Sequence, residues 1–326
     1  MEPTPSAVEP SRIFRKTMVI YNPQSGRGLK IPRVFRHFLG IKAPVWENKP
    51  QTELALEQVL AGLRQAGIAA TAACTTAPGD GMRLARECVE AGYDLVVAVG
   101  GDGTINEVVN GLAGSETVLG VIPAGTFNVY GLLMNLPTEL AAACRVIARG
   151  TVQRVDLGRV NDRYFICMAG AGFDAFVVHQ TDSSRLKSVL GAVAYALVAA
   201  ANYFFYPFRR IVVQVDQEPE LKKGYFLIVG NGKYYAGDMV ISSRADMHDG
   251  LLDVCLMKRR NLWNFFGYLW ALRRGNLEKY IHVDVFQCRT LLVRSRGHHP
   301  LHADAEYIGR TPAVIQAAPG ALKVVV

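Results

Sequence analysis

The sequence predicts an α/β plus all-β fold: an N-terminal doubly wound α/β domain followed by an antiparallel β-sandwich domain, with a cleft between them. Two observations carry this prediction. In residues 15–150, β-branched apolar runs alternate with segments of helical periodicity, as in a parallel sheet covered by helices. In residues 151–326, short apolar runs are separated by turn residues, which is typical of an antiparallel sandwich. The last strand is free to pack back on the first domain.

The elements of the first domain alternate regularly along the chain. Strands are predicted at Lys16–Tyr21 and within "IAATAACTTAPGD", "DLVVAVGG" and "TVLGVIPAGTFN". Helices are predicted within "PQTELALEQVLAGLRQAG", which Gly67 ends, within "GMRLARECVEAGY" and from Thr104 onward. "DLVVAVGG" is almost continuously apolar, so we expect that strand to be buried on both faces.

The second domain and the N-terminus contain few predicted helices. Residues 1–14 are polar and proline-rich, so we expect a disordered lead-in. Helices are expected chiefly at Leu186–Tyr206 and Asn261–Arg273. Within the first of these, Val189–Phe208 has the minimum length of a membrane span. Because it is rich in alanine and ends in aromatic residues and a proline, we expect a buried or lipid-facing helix.

The charge and cysteine content limit the class of protein. The net charge is +8, of which residues 1–150 carry +1 and residues 151–326 carry +7. A basic second half favours an anionic partner or, alternatively, a solvated basic surface. The six cysteines lie far apart, mostly in apolar runs, which is typical of buried thiols in a reducing compartment. We therefore expect a cytoplasmic protein.

A glycine-rich turn, "GGDGT" at Gly100–Thr104, lies where a predicted strand passes into a predicted helix. Such a turn directs backbone N–H groups and a helix N-terminus at an anion. Asp102 at its centre would repel a phosphate unless a cation such as Mg²⁺ lies between them. From these residues alone, a nucleotide phosphate site and a tight structural turn remain alternatives.

Six motifs in order make the chain similar to a known family. They are "IYNPQSGRG", "VVAVGGDGTINEVVNGL", "GVIPAGTFNVYGLLMNLP", "MAGAGFDA", "DMHDGLLDV" and "HADAE". Together they resemble the diacylglycerol kinase-type catalytic domain, which bacterial soluble lipid kinases share with sphingosine and ceramide kinases. The resemblance extends from about Val19 to Val326. One departure is Ala305, where the family prefers glycine.

This resemblance implies that ATP binds to the first domain. The implied ATP-binding residues are Asn22, Ser25, Gly26, Thr75, Gly100, Gly101, Asp102, Gly103, Thr104, Asn106 and Thr126. Their physical chemistry agrees, since small hydroxyl and amide groups at strand ends suit the ligands of open α/β sheets. Each of them also has a plainer interpretation as a turn residue or helix cap.

A pair of carboxylates, Asp304 and Glu306, is the candidate catalytic unit, together with Asp102. On a strand, both would point to one face about 7 Å apart. One could then accept a proton from a hydroxyl while the other orients it or holds Mg²⁺. The resemblance places the catalytic base in this motif. The plainer alternative is an exposed acidic edge.

Two further groups of residues are candidates for ligand binding. The resemblance implies a structural Mg²⁺ at the turn of Asp246, Asp249 and Leu251, partly through backbone carbonyls. A plain Asp-Gly turn is the alternative. His298, His299 and His302 cluster without zinc spacing, so we expect a solvated loop.

The segment "KRRNLWNFFGYLWALRRG" predicts an amphipathic helix with aromatic residues between basic ends. It could dock on anionic phospholipid, or it could be a core-facing helix with solvated ends. We therefore expect an ATP- and Mg²⁺-dependent lipid kinase acting on a lipid such as diacylglycerol. Its expected partners are the lipid substrate and an anionic membrane surface with peripheral association, without nucleic acid, and a homodimer is an open alternative.

Two rival functions remain. An NAD kinase-like enzyme would share "GGDGT" and the two-domain plan, but "INEVVNG" and the basic aromatic helices disfavour it. A non-catalytic lipid-binding or regulatory protein could use the same scaffold, and the three intact acids argue against it.

Overall fold

The structure is a computed structural model, and it describes residues 14–25, 52–125, 128–182, 198–199, 201–235 and 239–326. The expected disordered lead-in up to residue 13, residues 189–197 and 200 of the segment 189–208, and the site residues Gly26 and Thr126 lie outside the described residues. The chain divides into two compact units. Of the described residues, unit 1 comprises those up to Asp156 together with Pro319–Val326, and unit 2 comprises those within Leu157–Ala318.

Unit 1 alternates strands and helices as predicted. The strands are β1 (Thr17–Tyr21), β2 (Ala70–Cys74), β3 (Leu95–Gly100) and β4 (Val118–Pro123). The helices are α1 (Thr52–Gln65), α2 (Asp80–Glu90), α3 (Asp102–Leu112), α4 (Val129–Leu133) and α5 (Leu140–Arg149).

The sheet of unit 1 is parallel, with the strand order β2-β1-β3-β4. Strands β3 and β4 are buried at every position, as the continuous apolar run predicts. Side chains of α1 and α5 pack with the sheet in one apolar core that includes Val59, Leu63 and Ile147. Because the strands are parallel, their carboxyl ends all lie at the same edge of the sheet.

Unit 2 is built mainly from antiparallel strands. They are β5 (Val152–Val160), β6 (Arg163–Phe165), β7 (Met168–Gly172), β8 (Ile211–Val215), β9 (Leu221–Gly224), β10 (Phe226–Gly230), β11 (Leu252–Met257), β12 (Val283–Cys288), β13 (Thr290–Ser295), β14 (Pro300–Ala303), β15 (Glu306–Arg310) and β16 (Ala313–Val325). The helices are α6 (Phe173–Asp182), α7 (Leu262–Arg273) and a 3-10 turn at Leu277–Lys279.

These strands form two layers around one apolar core. One layer has the order β12-β11-β10-β7-β14-β15, and the other contains β16, β13, β8 and β9. Buried side chains from both layers, such as Val254 and Val293, belong to a single cluster. The first residues of β16 pair with β13, while Lys323 and Val324 near its end, which belong to unit 1 as β4 does, pair with β4. The predicted fold class, α/β followed by an antiparallel sandwich, is confirmed.

Two elements differ from the sequence prediction. Helix α3 begins at Asp102 and not at Thr104, because the Gly101 carbonyl already accepts the Ile105 N–H at 3.0 Å. Asp102 is therefore in the first helical turn. Residues 173–182 form α6 directly after β7, a helix that the sequence analysis does not predict. Gly172, with a φ of 103°, marks the change from strand to helix.

Candidate active site

The predicted nucleotide-binding residues of unit 1 meet at the carboxyl edge of its parallel sheet. The loop after β1 contacts the glycine turn after β3: the Asn22 Nδ2 donates to Thr104 Oγ1 at 2.8 Å. In the same loop, Ser25 Oγ accepts the Gly101 N–H at 3.2 Å. The Asn22 N–H also donates to the Val99 carbonyl, which extends the β1 pairing by one residue. Four of the predicted residues are therefore joined in two hydrogen-bonded pairs.

Two glycines allow the strand ends to approach closely. A Cβ on Gly125 would lie 2.5 Å from the Gly101 Cα, and one on Gly101 would lie 3.3 Å from the Gly125 Cα. Any side chain at Gly125 would therefore separate the turns that follow β3 and β4. The close approach brings backbone, and not side chains, together at this edge, which suits binding of a phosphate group.

Asp102 occupies the N-terminal turn of α3, where a carboxylate is favoured by the helix dipole. Its Oδ1 accepts the Tyr130 N–H of α4 at 3.3 Å. The side chain is only partly buried. A partly exposed carboxylate is a hard oxygen donor of the kind that Mg²⁺ takes as one of its few protein ligands. The position of Asp102 therefore fits a phosphate bridged by a metal ion. The helix dipole and the Tyr130 N–H also account for an acid at this position in the absence of a metal.

Of the remaining predicted ATP residues, Thr75 and Asn106 are buried and Gly103 is exposed. Thr75 is buried at the end of β2, where its N–H donates to the Tyr21 carbonyl at 2.9 Å. Asn106 is buried within α3, and its amide oxygen accepts a hydrogen bond from Asn110 at 3.1 Å. Asn106 therefore stabilises the helix that carries Asp102. Gly103 is exposed in the first turn of the same helix.

The second candidate site, in unit 2, differs from the sequence expectation. Asp304 and Glu306 do not share one face of a strand. Asp304 and Ala305 are the two turn residues between β14 and β15, with φ of 47° and 61°. Both values lie in the left-handed region that a two-residue hairpin turn of the primed type needs. The family's preferred glycine at position 305 has a physical reason here, because a residue with a Cβ is strained in this conformation.

The turn directs the Asp304 carboxylate at backbone amides of a distant segment. Its oxygens accept the N–H groups of Ile166 at 2.7 Å, Cys167 at 2.9 Å and Met168 at 3.0 Å. Glu306, two residues later, pairs through Oε2 with the Arg163 guanidinium at 2.6 Å. The pair is therefore held by separate partners. Asp304 is oriented by three backbone donors, and Glu306 by one cation.

A buried polar chain next to this turn was not found from the sequence. His302 is fully buried, and its Nε2 lies 2.8 Å from Asp174 Oδ2. The other Asp174 oxygen accepts the Tyr235 hydroxyl. Burial alone would raise the pKa of Asp174, but His302 and Tyr235 outweigh it and hold that pKa below its usual range. A Cβ on Gly170 would lie 2.4 Å from the His302 ring, so glycine is required beside the pair.

The expected solvated histidine loop is therefore wrong for two of its three members. His299 is also buried: its Nε2 faces the Arg209 carbonyl at 2.9 Å, and its Nδ1 lies 2.7 Å from the Tyr206 hydroxyl. Burial lowers the pKa of His299, which favours the neutral ring with Nε2 as donor. The motif "MAGAGFDA" contained Asp174 and Gly170, but sequence spacing gave no sign that His302 contacts them.

The predicted metal turn contains acids that face one another. Asp249 Oδ1 accepts the Leu251 N–H at 2.9 Å, and Gln287 Nε2 donates to both Asp249 and Asp253. Burial raises the pKa of both acids, and mutual repulsion adds to the shift for Asp249. Asp246 instead pairs with His248 at 2.9 Å.

Among the described residues, no group of three His, Cys, Asp or Glu side chains is placed to hold a metal. Mg²⁺ is nevertheless commonly bound by one or two carboxylates with waters. Asp249 and the buried Asp253, which the sequence analysis did not single out, fit that chemistry.

The predicted amphipathic helix corresponds to α7, but its solvent face is apolar. Tyr268, Ala271 and Leu272 are buried, while Trp263, Phe266 and Trp270 are exposed. The basic residues lie at its two ends. Among the described helices, none combines the length and the hydropathy that a membrane span requires.

Comparisons with known proteins agree in sequence and in fold. Residues 48–160 match the family model described as diacylglycerol kinase catalytic domain. Residues 167–326 match the YegS C-terminal NAD kinase beta sandwich-like domain. A diacylglycerol kinase of Staphylococcus saprophyticus is 31% identical over 303 residues, covering 91% of each chain. One of Bacillus subtilis is 30% identical over 304 residues, covering 92% of each. The crystal structure of a diacylglycerol kinase from Bacillus anthracis is 18% identical and aligns with a TM-score of 0.69, over 97% of this chain and 98% of that chain.

Proposed function

Because this chain belongs to the diacylglycerol kinase family and is a kinase, we propose that it transfers the γ-phosphoryl group of ATP to a hydroxyl of a membrane lipid such as diacylglycerol. The single observation that supports this most is the edge of the unit 1 sheet. There, Asn22 and Ser25 are hydrogen-bonded to the glycine turn at the start of α3. This arrangement suits the phosphates of ATP.

In unit 1, the backbone N–H groups at the start of α3 would bind the phosphate oxygens. Asp102 would be a ligand of Mg²⁺, which when bound offsets negative charge on the phosphates. Asn22, Ser25 and Thr104 would orient the nucleotide through their polar groups. Each of these roles requires the close approach of the turns after β3 and β4 that Gly101 and Gly125 allow.

In unit 2, we assign proton removal from the acceptor hydroxyl to Asp304. Three backbone N–H donors fix the direction of its carboxylate. Phosphoryl transfer with a loose transition state demands little basicity, so orientation contributes as much as proton affinity. Glu306 would position the turn through Arg163.

The test is an acceptor screen with the full chain. We expect label from γ-labelled ATP to enter a lipid when the protein is given a total lipid extract, with the product identified by mass. Parallel reactions contain NAD in place of lipid, or no acceptor. Labelling of a lipid that depends on Mg²⁺ would support the proposal. Labelling of NAD, or ATP hydrolysis without any labelled lipid, would contradict it. Peripheral association with an anionic membrane belongs to the same proposal, and the homodimer stays a prediction.

A further inference from the structure

A basic groove lies on unit 2, and none of the residues assigned to the reaction lines it. It is a concavity of about 490 Å³. Its lining, which defines the basic groove here, is Arg210, Lys223, Gly224, Tyr225, Lys258, Arg259, Arg260 and Asn261. The groove therefore brings together the start of β8, the end of β9 and the connection from β11 to α7.

The cations of the basic groove are held close together without enough acids to balance them. The Arg260 guanidinium lies over the Tyr225 ring at 5.5 Å, and the Arg210 Nε donates to the hydroxyl of the same tyrosine at 3.5 Å. Lys258 pairs with Asp284 at 2.6 Å. In the part of the chain that the structure describes, no carboxylate forms an ion pair with the other four cations. Gathering like charges is unfavourable unless an anion binds among them.

The backbone that carries these cations is fixed before any ligand binds. The buried Tyr268 hydroxyl donates to the Arg259 carbonyl at 3.1 Å and accepts the Arg259 N–H at 3.2 Å. The Tyr203 hydroxyl donates to the Arg260 carbonyl at 2.8 Å, and the Arg260 side chain donates to the Phe208 carbonyl at 3.0 Å. A preformed site loses less conformational entropy on binding. Three of its five cations are arginines, which can bind phosphate oxygens in pairs.

An aromatic patch adjoins the basic groove. It consists of Phe204, Phe205, Trp263 and Phe266, of which Trp263 is 86% exposed and Phe205 is 85% exposed. Trp263 follows the groove residue Asn261 by two positions. Two members of the patch, Phe204 and Phe266, are linked through the rings of Tyr203 and Phe265. Several large exposed aromatic side chains together mark an interaction surface.

We propose that the basic groove binds the phosphate of an anionic glycerophospholipid while the aromatic patch enters the same bilayer. The combination of a basic groove and an aromatic patch favours a membrane as the partner. The phosphate groups of a bilayer surface can bind the cations, and its interfacial region can accommodate Trp and Phe rings. The bound phospholipid is an accessory ligand and is not the phosphoryl acceptor. The choice of a membrane as occupant rests on the proposed lipid kinase function, while the charge and exposure are independent of it.

The experiment measures vesicle binding by the full chain without ATP, so its result does not depend on kinase activity. Vesicles of phosphatidylcholine alone are compared with vesicles containing phosphatidylglycerol. We expect the R210Q/R260Q variant to bind the anionic vesicles about 10- to 30-fold more weakly than the unchanged protein. The matched control is R64Q/R86Q, which removes two exposed arginines from α1 and α2 of unit 1 and should change binding less than about threefold.

Two more variants separate a headgroup site from diffuse attraction. R210K/R260K keeps both charges but loses the paired donors, so we expect binding weaker by about threefold. W263A should weaken binding about tenfold, and quenching of tryptophan fluorescence by bromine-labelled acyl chains should fall with it. Circular dichroism checks that each variant is folded. Equal losses in the groove and control pairs, full binding by R210K/R260K, or displacement by soluble glycerophosphate would overturn the proposal.

Discussion

The candidate site residues of unit 1 lie at the ends of parallel strands, whereas those of unit 2 lie on a hairpin turn and on the helix after a central strand. In unit 1, strand order alone brings Asn22 to Thr104, because all four strand ends share one edge. In unit 2, Asp304 reaches residues 136 to 138 positions earlier only because two turn residues adopt positive φ. The first arrangement follows from topology, and the second from the geometry of one turn.

The largest expected effect concerns the buried pair of unit 2. Asp174→Asn removes the carboxylate that lies 2.8 Å from Nε2 of the buried His302 and accepts the Tyr235 hydroxyl, and losing a hydrogen bond to a charged group costs about 1.5–3 kcal/mol. We expect the free energy of unfolding, measured in urea, to fall by that amount. The control is Asp162→Asn, an exposed acid of the same unit that should change it by less than about 0.5 kcal/mol. Similar stabilities for the two variants would show that the buried pair does not stabilise the site.

The next effect tests whether the turn carboxylates act as a unit. Asp304→Asn and Glu306→Gln should each lower kcat, by about 10² to 10⁴ for Asp304 and by less for Glu306. Since Glu306 positions the turn that holds Asp304, the double variant should be scarcely slower than Asp304→Asn alone. Steady-state transfer to diacylglycerol measures all three. Strictly additive losses would separate the two residues, and full activity of Asp304→Asn would move the base elsewhere.

The next prediction concerns Asp102, in the glycine turn of unit 1, and the dependence of phosphoryl transfer on Mg²⁺. Asp102→Asn should keep the fold, because an amide oxygen can still accept the Tyr130 N–H, and should lower phosphoryl transfer by about 10²-fold or more. The dependence of the rate on Mg²⁺ concentration should shift upward at the same time. Glu57→Gln, an exposed acid on α1, is the control. An unchanged Mg²⁺ dependence would mean that Asp102 only caps α3.

The contrast between strand-end contacts and turn contacts also explains which parts of each unit could be predicted from the sequence. Apolar runs and helical spacing were enough to place β3, α3 and the edge where Ser25 meets Gly101. They were not enough to place Asp304, because alternation predicts a strand while the positive φ of two residues makes a turn. They also missed Asp174, since its partner His302 is 128 residues away and no local pattern joins them. The periodicity of apolar residues therefore does not predict contacts that depend on turn geometry or on antiparallel register.

A smaller effect tests the turn itself. Ala305→Gly should raise the free energy of unfolding by about 1 kcal/mol, because glycine adopts the φ of 61° without strain. The same substitution in extended backbone, Ala321→Gly in β16, should lower stability by a similar amount. Chemical denaturation measures both. If Ala305→Gly is neutral or destabilising, the turn is not strained by its alanine.

The smallest effect concerns the acids near Leu251. Burial raises the pKa of Asp253, so its charged form is disfavoured in the folded state and stability falls as the pH rises through that pKa. At neutral pH without Mg²⁺, Asp253→Asn should therefore raise Tm. Added Mg²⁺ should raise the Tm of the unchanged protein by roughly 2–4 °C and that of the variant less. Equal responses to Mg²⁺ would argue against a metal at this turn.

The central claim is that unit 1 holds ATP while unit 2 supplies the group that activates a lipid hydroxyl. The most direct measurement is transfer of γ-labelled phosphoryl to diacylglycerol in vesicles, with ATP affinity determined on the same preparations. We predict that the unchanged protein labels the lipid, and that Asp304→Asn binds ATP with unchanged affinity but transfers at least about 10²-fold more slowly. Absence of labelled lipid with the unchanged protein, or loss of ATP affinity in Asp304→Asn equal to its loss of activity, would contradict this assignment.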